Sequence, residues 1–328
     1  MSMNLIGIDI GGTKCSVIIG YADENRNIQI IARDTVATKS YPDPYRMIPR
    51  LQEMTDDLLK QTGIDIKSVR ATGISCGGPL DNIKGIVQSP PNLPGWDYIP
   101  VVKLFEDRYG IPAYLENDAN ACALAEWLMG AGRGTSNMIF MTFGTGMGGG
   151  LILSGRLYSG TNNLAGEVGH IRLDKLGPVG YGKAGSFEGF CSGGGIAQLA
   201  QSVVREYFYS NRKVNFCPSV EMIDEIDTRT VALAARNGDP VALEIIKTAA
   251  EYLGYGLAIL IDILNPECIV IGSIFTRNED LFRPHMERIL QQEALAPALA
   301  VCKIKPAELG ESIGDYASLC VALYRDMF

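Results

Sequence analysis

Two rhythms of apolar residues succeed one another along this chain, short alternating runs and then longer helical spacings. Leu5 to Ile10 alternates and stops at Gly11-Gly12, and Cys15 to Gly20 is a second apolar run, so the pair reads as two strands joined by a Gly-Gly turn. Met47, Leu51, Met54 and Leu58 recur at helical spacing within Arg46 to Thr62, and Gly63 closes that helix. Val69 to Cys76 reads as a strand running into the turn Gly77-Gly78-Pro79. Beyond a Pro-rich loop, Ser89 to Trp96, the pattern predicts a helix over Pro100 to Tyr109, a strand over Ile111 to Leu115 and a helix over Ala119 to Gly130.

The second half repeats the scheme. Met138 to Phe143 reads as a strand, Gly144 to Gly150 as a glycine turn and Leu151 to Leu153 as an apolar continuation, a weak internal duplication of the opening hairpin. Helices follow over Ser192 to Lys213 and Thr228 to Arg236. Asp239-Pro240 then supplies an N-cap and a first-turn proline to a long helix that stops before Pro266. Cys268 to Ile271 reads as a short buried strand before the turn Gly272-Ser273, Val301 to Ile304 as a late strand, and Glu311 to Tyr324 as a terminal helix with Ile313, Ala317, Cys320 and Tyr324 on one stripe. Strands alternating with helices in both halves mean α/β layers.

Composition narrows this picture. At 328 residues the chain is long enough for two lobes with substantial cores. Its 47% hydrophobic and 20% charged content is that of a globular protein, and a net charge of -8 with no Lys/Arg block argues against a nucleic-acid partner. The run Met1 to Ile10 has no basic leader, and the longest apolar run, Leu257 to Leu264, is interrupted by Asp262. Both features argue against secretion and against a membrane partner, and for a cytoplasmic protein. Eight scattered Cys without a C-x-x-C pair read as reduced thiols and not as a disulfide framework.

The candidate chemistry gathers at Leu115-Glu116-Asn117-Asp118, where an amide and a carboxylate meet at a strand-to-helix junction between the two glycine turns. Asp118 is the candidate general base; the structural alternative, a carboxylate that caps the following helix, is compatible with it. In the first turn Gly11 and Gly12 let backbone N–H groups face an anion, Thr13 adds a hydroxyl and Lys14 a charge. Asp9 at the strand end suits Mg²⁺ held through water, although a plain hairpin with a solvated Asp reads the same residues as well. Asn92 offers a polar contact to a ligand from a loop whose commoner role is connection. Glu167 and His170, three apart among small residues, suit either ligand hydroxyls or a metal. His285, in a helical run with Met286 and Ile289, is ordinary, and Gly272-Ser273 is a further place where backbone can approach a ligand.

Taken in order, Asp9-Ile-Gly-Gly-Thr-Lys14, Glu116-Asn-Asp-Ala-Asn120, Gly144-Thr-Gly-Met-Gly-Gly-Gly150 and Ala165-Gly-Glu-Val-Gly-His170 resemble the ROK family (repressors, open reading frames and sugar kinases) of the actin/hexokinase-like ATPase superfamily. Each motif is weak alone; the four in family order cover essentially the whole chain. The resemblance implies two RNase H-like lobes with a central cleft: residues 1–117 completed by a C-terminal helix at 311–328, and residues 118–310. It implies ATP at Gly11, Gly12, Thr13, Lys14, Gly144, Thr145, Gly146, Gly272 and Ser273, Mg²⁺ near Asp9, and Asp118 as the catalytic aspartate. Asn117, Glu167, His170 and Glu188 match positions that bind sugar hydroxyls, and Gly77, Gly78 and Asn92 fall in loops lining that pocket. The implied activity is a glucokinase-like, ATP-dependent phosphorylation of a hexose or related sugar hydroxyl, by a homodimer or homotetramer. Regulatory members carry an added N-terminal helix-turn-helix, for which a phosphate turn starting at residue 9 leaves no room, so a sugar-sensing regulator and a catalytically silent sugar-binding protein are the rival readings.

One departure stands out. Zinc-containing members follow the His with C-x-C-G-x-x-G-C-x-E, whereas this chain has Val179, Tyr181 and Ser186 at the three Cys positions and keeps the glycines and Glu188. One His and the nearby Cys191 do not make the four-ligand set that structural zinc takes. The expectation is a loop without zinc. Elemental analysis of the purified protein should find zinc well below one per chain; a stoichiometric amount would overturn the expectation.

Overall fold

The computed structural model describes residues 2–327. Met1, at the head of the expected N-terminal run, and Phe328, at the end of the expected terminal helix, lie outside the described residues.

The first part of the chain runs β1 (Met3–Ile10), β2 (Lys14–Ala22), β3 (Ile28–Ala37), α1 (Pro44–Thr62), β4 (Val69–Cys76), the two-residue strands β5 (Leu80–Asp81) and β6 (Ile86–Val87), α2 (Val101–Tyr109), β7 (Ala113–Asn117) and α3 (Asp118–Leu128). The remainder runs β8 (Met138–Met141), β9 (Gly149–Leu153), β10 (Arg156–Tyr158), β11 (Val179–Gly180), β12 (Lys183–Ala184), α4 (Phe187–Phe190), α5 (Gly193–Tyr209), α6 (Thr228–Arg236), α7 (Pro240–Leu264), β13 (Cys268–Ile271), α8 (Ile274–Glu293), α9 (Ala296–Val301), β14 (Lys303–Pro306) and α10 (Ile313–Met327). Two five-stranded sheets result, in strand orders β3-β2-β1-β4-β7 and β10-β9-β8-β13-β14. The orders repeat one scheme, with a sequential hairpin at one edge and crossover strands at the other. This is the mixed α/β architecture of actin/hexokinase-like proteins.

Local sequence explains most boundaries. The α1 stripe Met47, Leu51 and Met54 is fully buried, Asp43 caps its start by accepting from the Tyr45 N–H, and Gly63 ends it in the left-handed conformation. Asp239 accepts from both Val241 and Ala242 N–H at the head of α7, and Asn265 closes that helix with φ 43°. Other boundaries moved. The strand expected at Ile111 to Leu115 is β7, Ala113–Asn117, so Asn117 is its last residue and Asp118 the first of α3. The late strand expected from Val301 is α9 followed by β14 at Lys303–Pro306. Strand β3 escapes the apolar reading because it is a mostly exposed edge strand. Helix α8, of which the sequence reading caught only the run around His285, is interrupted by Pro284 and by a break at Asn278, where φ is -135°.

By internal packing the chain divides into two units, residues 1–136, 150–165 and 308–328, and residues 137–149 and 166–307. In the first unit, Ile6, Ile8 and Ile10 of β1 share one face of the sheet with Met47, Leu51 and Met54 of α1. Alternation puts Gly7 and Asp9 on the other face, against α10. There Gly7, Gly20 and Gly73, on the adjacent strands β1, β2 and β4, form a groove. A Cβ at Gly73 would lie 2.0 Å from the Ser318 carbonyl oxygen, and one at Gly20 2.5 Å from Leu319 Cδ1. Buried Glu126 of α3 fixes the approach to α10, accepting N–H bonds from Ala131 at 2.9 Å, Glu308 at 3.2 Å and Leu309 at 2.9 Å. In the second unit, α7 packs against α8, and β13 is buried along its whole length. The eight cysteines are free thiols, and no helix among the described residues is long and apolar enough to cross a membrane.

Because the Gly73 contact is with helix backbone, it cannot be relieved by a side-chain rotation. Gly73→Ala should destabilise the protein by about 1–3 kcal/mol, read as a lower denaturant midpoint at unchanged m; a midpoint equal to wild type would contradict the close approach.

Candidate active site

Strands β1, β4 and β7 run parallel, with Ile10 beside Cys76 and Cys76 beside Asn117, so their C-terminal ends open on one edge. In α/β sheets ligands bind at that edge. The chain leaves β1 as Asp9 to Lys14, β4 as Gly77-Gly78, and β7 as Asn117-Asp118, which brings together most of the residues expected here. The first turn is tight: the Gly11 N–H donates to the Lys14 carbonyl at 3.1 Å, and the Thr38 hydroxyl donates to the Gly11 carbonyl at 2.6 Å. Asn92 packs over it. A Cβ at Gly12 would stand 2.8 Å from the Asn92 carbonyl oxygen, and one at Gly77 3.3 Å from Asn92 Nδ2. One at Gly78 would stand 3.1 Å from Asn117 Nδ2, so the glycines let two amide side chains close in on the strand ends.

The cap of α3 is Asn117, whose Oδ1 accepts from the Ala119 N–H at 3.0 Å in an extended backbone (φ -62°, ψ 144°). Asp118 also accepts from Ala119 N–H, at 2.8 Å, yet it is the first helical residue and is exposed. Behind the pair, Glu116 is buried and accepts from Asn117 N–H and Asn120 Nδ2 through one oxygen, both at 3.0 Å, and from Asn82 Nδ2 at 3.1 Å through the other. Motif spacing marked Glu116 without giving it a role; its burial supplies one, orienting the Asn117-Asp118 turn.

Two residues distant in sequence complete this edge. Asp315 of α10 is buried and paired with Arg33 of β3 at 3.1 Å, and the Asp9 carboxylate lies 3.2 Å from a Cβ built on Gly314. Burial foremost, then the charges of Asp118 and Asp315, push the Asp9 carboxyl up to about 7, while Lys14 and Arg33 pull it down. Carboxylates gathered in this way are hard oxygen donors of the kind Mg²⁺ takes.

In the second unit, the turn after β8 is closed by the Gly144 N–H donating to the Gly146 carbonyl at 3.1 Å, and the Gly193 N–H donates to the Gly144 carbonyl at 2.7 Å. Gly144, Thr145 and Ser273 line a cavity of about 610 Å³ together with Gly194, Asp227 and Arg277. That size suits a nucleotide-sized ligand. Ser273, at φ 57°, opens α8 beside it. The Gly193-Gly194 start of α5, the Asp227 cap of α6 and Arg277 were not singled out as ligand contacts by sequence; the glycine run ahead of α5 was the available signal. Gly146 and Gly272 do not line this cavity. Gly146 instead approaches Glu188, whose Oε2 accepts from the Met147 N–H at 2.9 Å. His170 is exposed with its ring edge-on to Tyr181 at 5.2 Å, and its N–H donates to the Glu167 carbonyl at 3.1 Å, so Glu167, His170 and Glu188 share one region of this unit.

An actin/hexokinase-like α/β protein with a carboxylate-rich strand edge and a glycine-lined cavity is the class these features define. The ROK family profile matches residues 5–320, and the chain belongs to the ROK family. A glucokinase of Thermotoga maritima is 32% identical over 291 residues, 88% of this chain and 87% of that protein. Among solved structures, a ROK hexokinase of Thermus thermophilus superposes with a TM-score of 0.79 at 28% identity, covering 100% of this chain and 99% of that one. A ROK glucokinase of Streptomyces griseus, solved with glucose and AMPPNP, gives 0.73 at 28% identity, over 98% and 99%.

Asp9 yields a pH prediction. In the unfolded chain it ionises near 3.8, whereas in the folded chain it keeps its proton to about 7. Between those values the folded state binds more protons, so stability falls as pH rises, by at most about 1.4 kcal/mol per pH unit for one group. Thermal unfolding without ligands should therefore lose more between pH 5 and 7 in wild type than in Asp9→Asn, and millimolar Mg²⁺ should flatten the wild-type slope. Equal slopes in the two proteins would refute the assignment.

Proposed function

We propose that this protein transfers the terminal phosphoryl group of ATP to a hydroxyl of a hexose or related sugar, with Asp118 as general base. The observation that carries this reading is the placing of Asp118, exposed as the first residue of α3 at the ends of three parallel strands, with Asn117 rather than Asp118 serving as the helix cap. The Ala119 N–H bond to Asp118 and the Glu116 network behind it hold the Asn117-Asp118 turn, which supports a carboxylate oriented for proton transfer. The matches to a glucokinase and to a glucokinase solved with glucose and AMPPNP support the same reaction class.

In this mechanism Asn117 and Asn92 are the polar groups suited to sugar hydroxyls in the first unit; in the second unit, taken by itself, Glu167, His170 and Glu188 are groups of the same kind. Polar groups of this kind discriminate against ligands lacking the hydroxyls they bond. Asp118 accepts the proton of the attacking hydroxyl, a contribution of roughly 10²–10⁴-fold; the larger share comes from positioning and from stabilising the charge on the transferred group. Gly144, Thr145, Gly194 and Ser273 would hold the nucleotide, with Arg229 and Arg277 at the same cavity offering charge to its phosphates. Gly11, Gly12, Thr13 and Lys14 form the anion-facing turn of the first unit. Asp9, backed by Asp315, would hold Mg²⁺ through water, and the bound ion would offset charge on the phosphates.

A coupled ADP-release assay over glucose, fructose, mannose, allose and N-acetylated hexosamines should find at least one sugar turned over. On that sugar Asp118→Asn should lose about 10²-fold or more in kcat while a direct titration shows sugar binding close to wild type. Retained turnover removes Asp118 from the role. Sugar binding with no ADP release from wild type would favour a catalytically silent sugar-binding member.

A further inference from the structure

The segment from Ile171 to Phe190 carries Glu188, and where zinc-containing relatives of this sequence pattern place three cysteines it has Val179, Tyr181 and Ser186. Its contacts within the second unit form a closed ring. Ser186 caps α4 by accepting from the Gly189 N–H at 3.1 Å, and α4 ends in Phe190, whose ring lies face to face with Tyr252 of α7, centroids 3.4 Å apart and planes 3° apart. Free aromatic pairs prefer offset or edge-on arrangements, so the surroundings hold this one. The Tyr252 hydroxyl donates to Asp174 Oδ2 at 2.6 Å, and the Asp174 N–H donates to the Gly185 carbonyl at 3.0 Å, one residue before the Ser186 cap. The Tyr252 hydroxyl, ahead of the Lys175 and Leu176 N–H groups, also holds the Asp174 carboxyl below the usual range.

A second tie runs beside it. The Gln198 amide of α5 bonds both backbone groups of Val179, accepting from its N–H and donating to its carbonyl, each at 3.0 Å. The stretch from Pro178 to Gly180 then lies so close to α4 that a Cβ at Gly189 would come 2.3 Å from the Pro178 carbonyl oxygen. Glu188 sits inside this frame, between the Ser186 cap and the Phe190 stack, with its carboxylate on the Met147 N–H.

We propose that Tyr252 is a positioning residue for Glu188: through the Phe190 stack and the Asp174 bond it closes a ring that fixes the α4 turn, doing by packing and hydrogen bonding what a metal does elsewhere. The proposal rests on the reading of Glu188 as a sugar-binding residue. Tyr252 does not line the Thr145–Ser273 cavity, so its removal should alter the aim of Glu188 and leave that cavity and Asp118 as they were.

The test uses the full chain with Tyr252→Ala, Tyr252→Phe and Gln198→Ala, and two readouts. Hydrogen exchange in the absence of ligands should be about tenfold faster or more at residues 185–190 in Tyr252→Ala, and unchanged around Thr145 and Ser273. On the sugar found by the panel, its KM should rise about tenfold with kcat and the ATP KM within about twofold of wild type. Tyr252→Phe, which keeps the stack and loses the bond, and Gln198→Ala should fall between, and they decide the matter if the alanine variant at 252 does not fold. Unchanged exchange at 185–190 overturns the ring whether or not any sugar is turned over. Faster exchange with an unaltered sugar KM overturns the positioning role, as does an equal loss of ATP affinity. Wild-type protein inert on every sugar would sink the kinase reading instead, and exchange alone would then decide the ring.

Discussion

The seating of the terminal helix in a groove of glycines is the constraint on which the first unit depends. Gly7, Gly20 and Gly73 remove side chains from three neighbouring strands, so α10 comes down onto the sheet, its backbone against Gly73 and its Ser318 and Leu319 side chains against Gly7 and Gly20. That approach buries Asp315 and sets it against the Asp9 side of β1. Without it, the carboxylate edge would be assembled from β1 and β7 alone, and Asp9, raised first by burial, would lose one of the two like charges that add to that rise. The helix arrives from the far end of the sequence. The buried Glu126 carboxylate, by collecting three N–H groups from Ala131, Glu308 and Leu309, ties that arrival to α3, the helix that Asp118 begins.

Buried carboxylates recur as fasteners around the exposed one. Glu116 and Glu126 are both almost wholly buried and both fully engaged with N–H donors, which is the condition under which a buried charge is tolerated. Asp118, between them on the same strand-and-helix segment, is exposed. The distribution separates two buried carboxylates, each held by several protein donors, from an exposed one that accepts from the Ala119 N–H. Asp315 holds an intermediate position: it is buried, and its partner Arg33 comes from an edge strand.

The segment around Glu188 shows a different economy. Where zinc was expected to be absent, Ser186 is a cap, Tyr181 an aromatic edge against His170 and Val179 a backbone-paired valine. A metal site draws its ligands together whatever the neighbouring helices do. A ring of stacking and hydrogen bonds depends on those neighbours, here α5 and α7, so the orientation of Glu188 becomes a property of the whole second unit.

By itself, the sequence determined the repeated strand–glycine turn–strand scheme, the α/β class, the family and the junction at Asn117-Asp118, because each is written in residues adjacent along the chain. The stop at Gly63 and the Asp239-Pro240 helix start were equally local. What only the tertiary structure decided involves residues far apart in sequence. Asp315 and Arg33 join Asp9, Glu116 becomes the anchor of the Asn117-Asp118 turn, and Arg277 with the Gly193-Gly194 helix start lines the cavity behind Thr145. Tyr252 closes a ring on a segment some sixty residues earlier. The glycines inside β1, β2 and β4 were visible but mute, since a missing side chain states that something comes close and not what it is. Periodicity encodes which face of an element is apolar; it does not encode which element covers that face, and that choice set the charges and contacts of the candidate site.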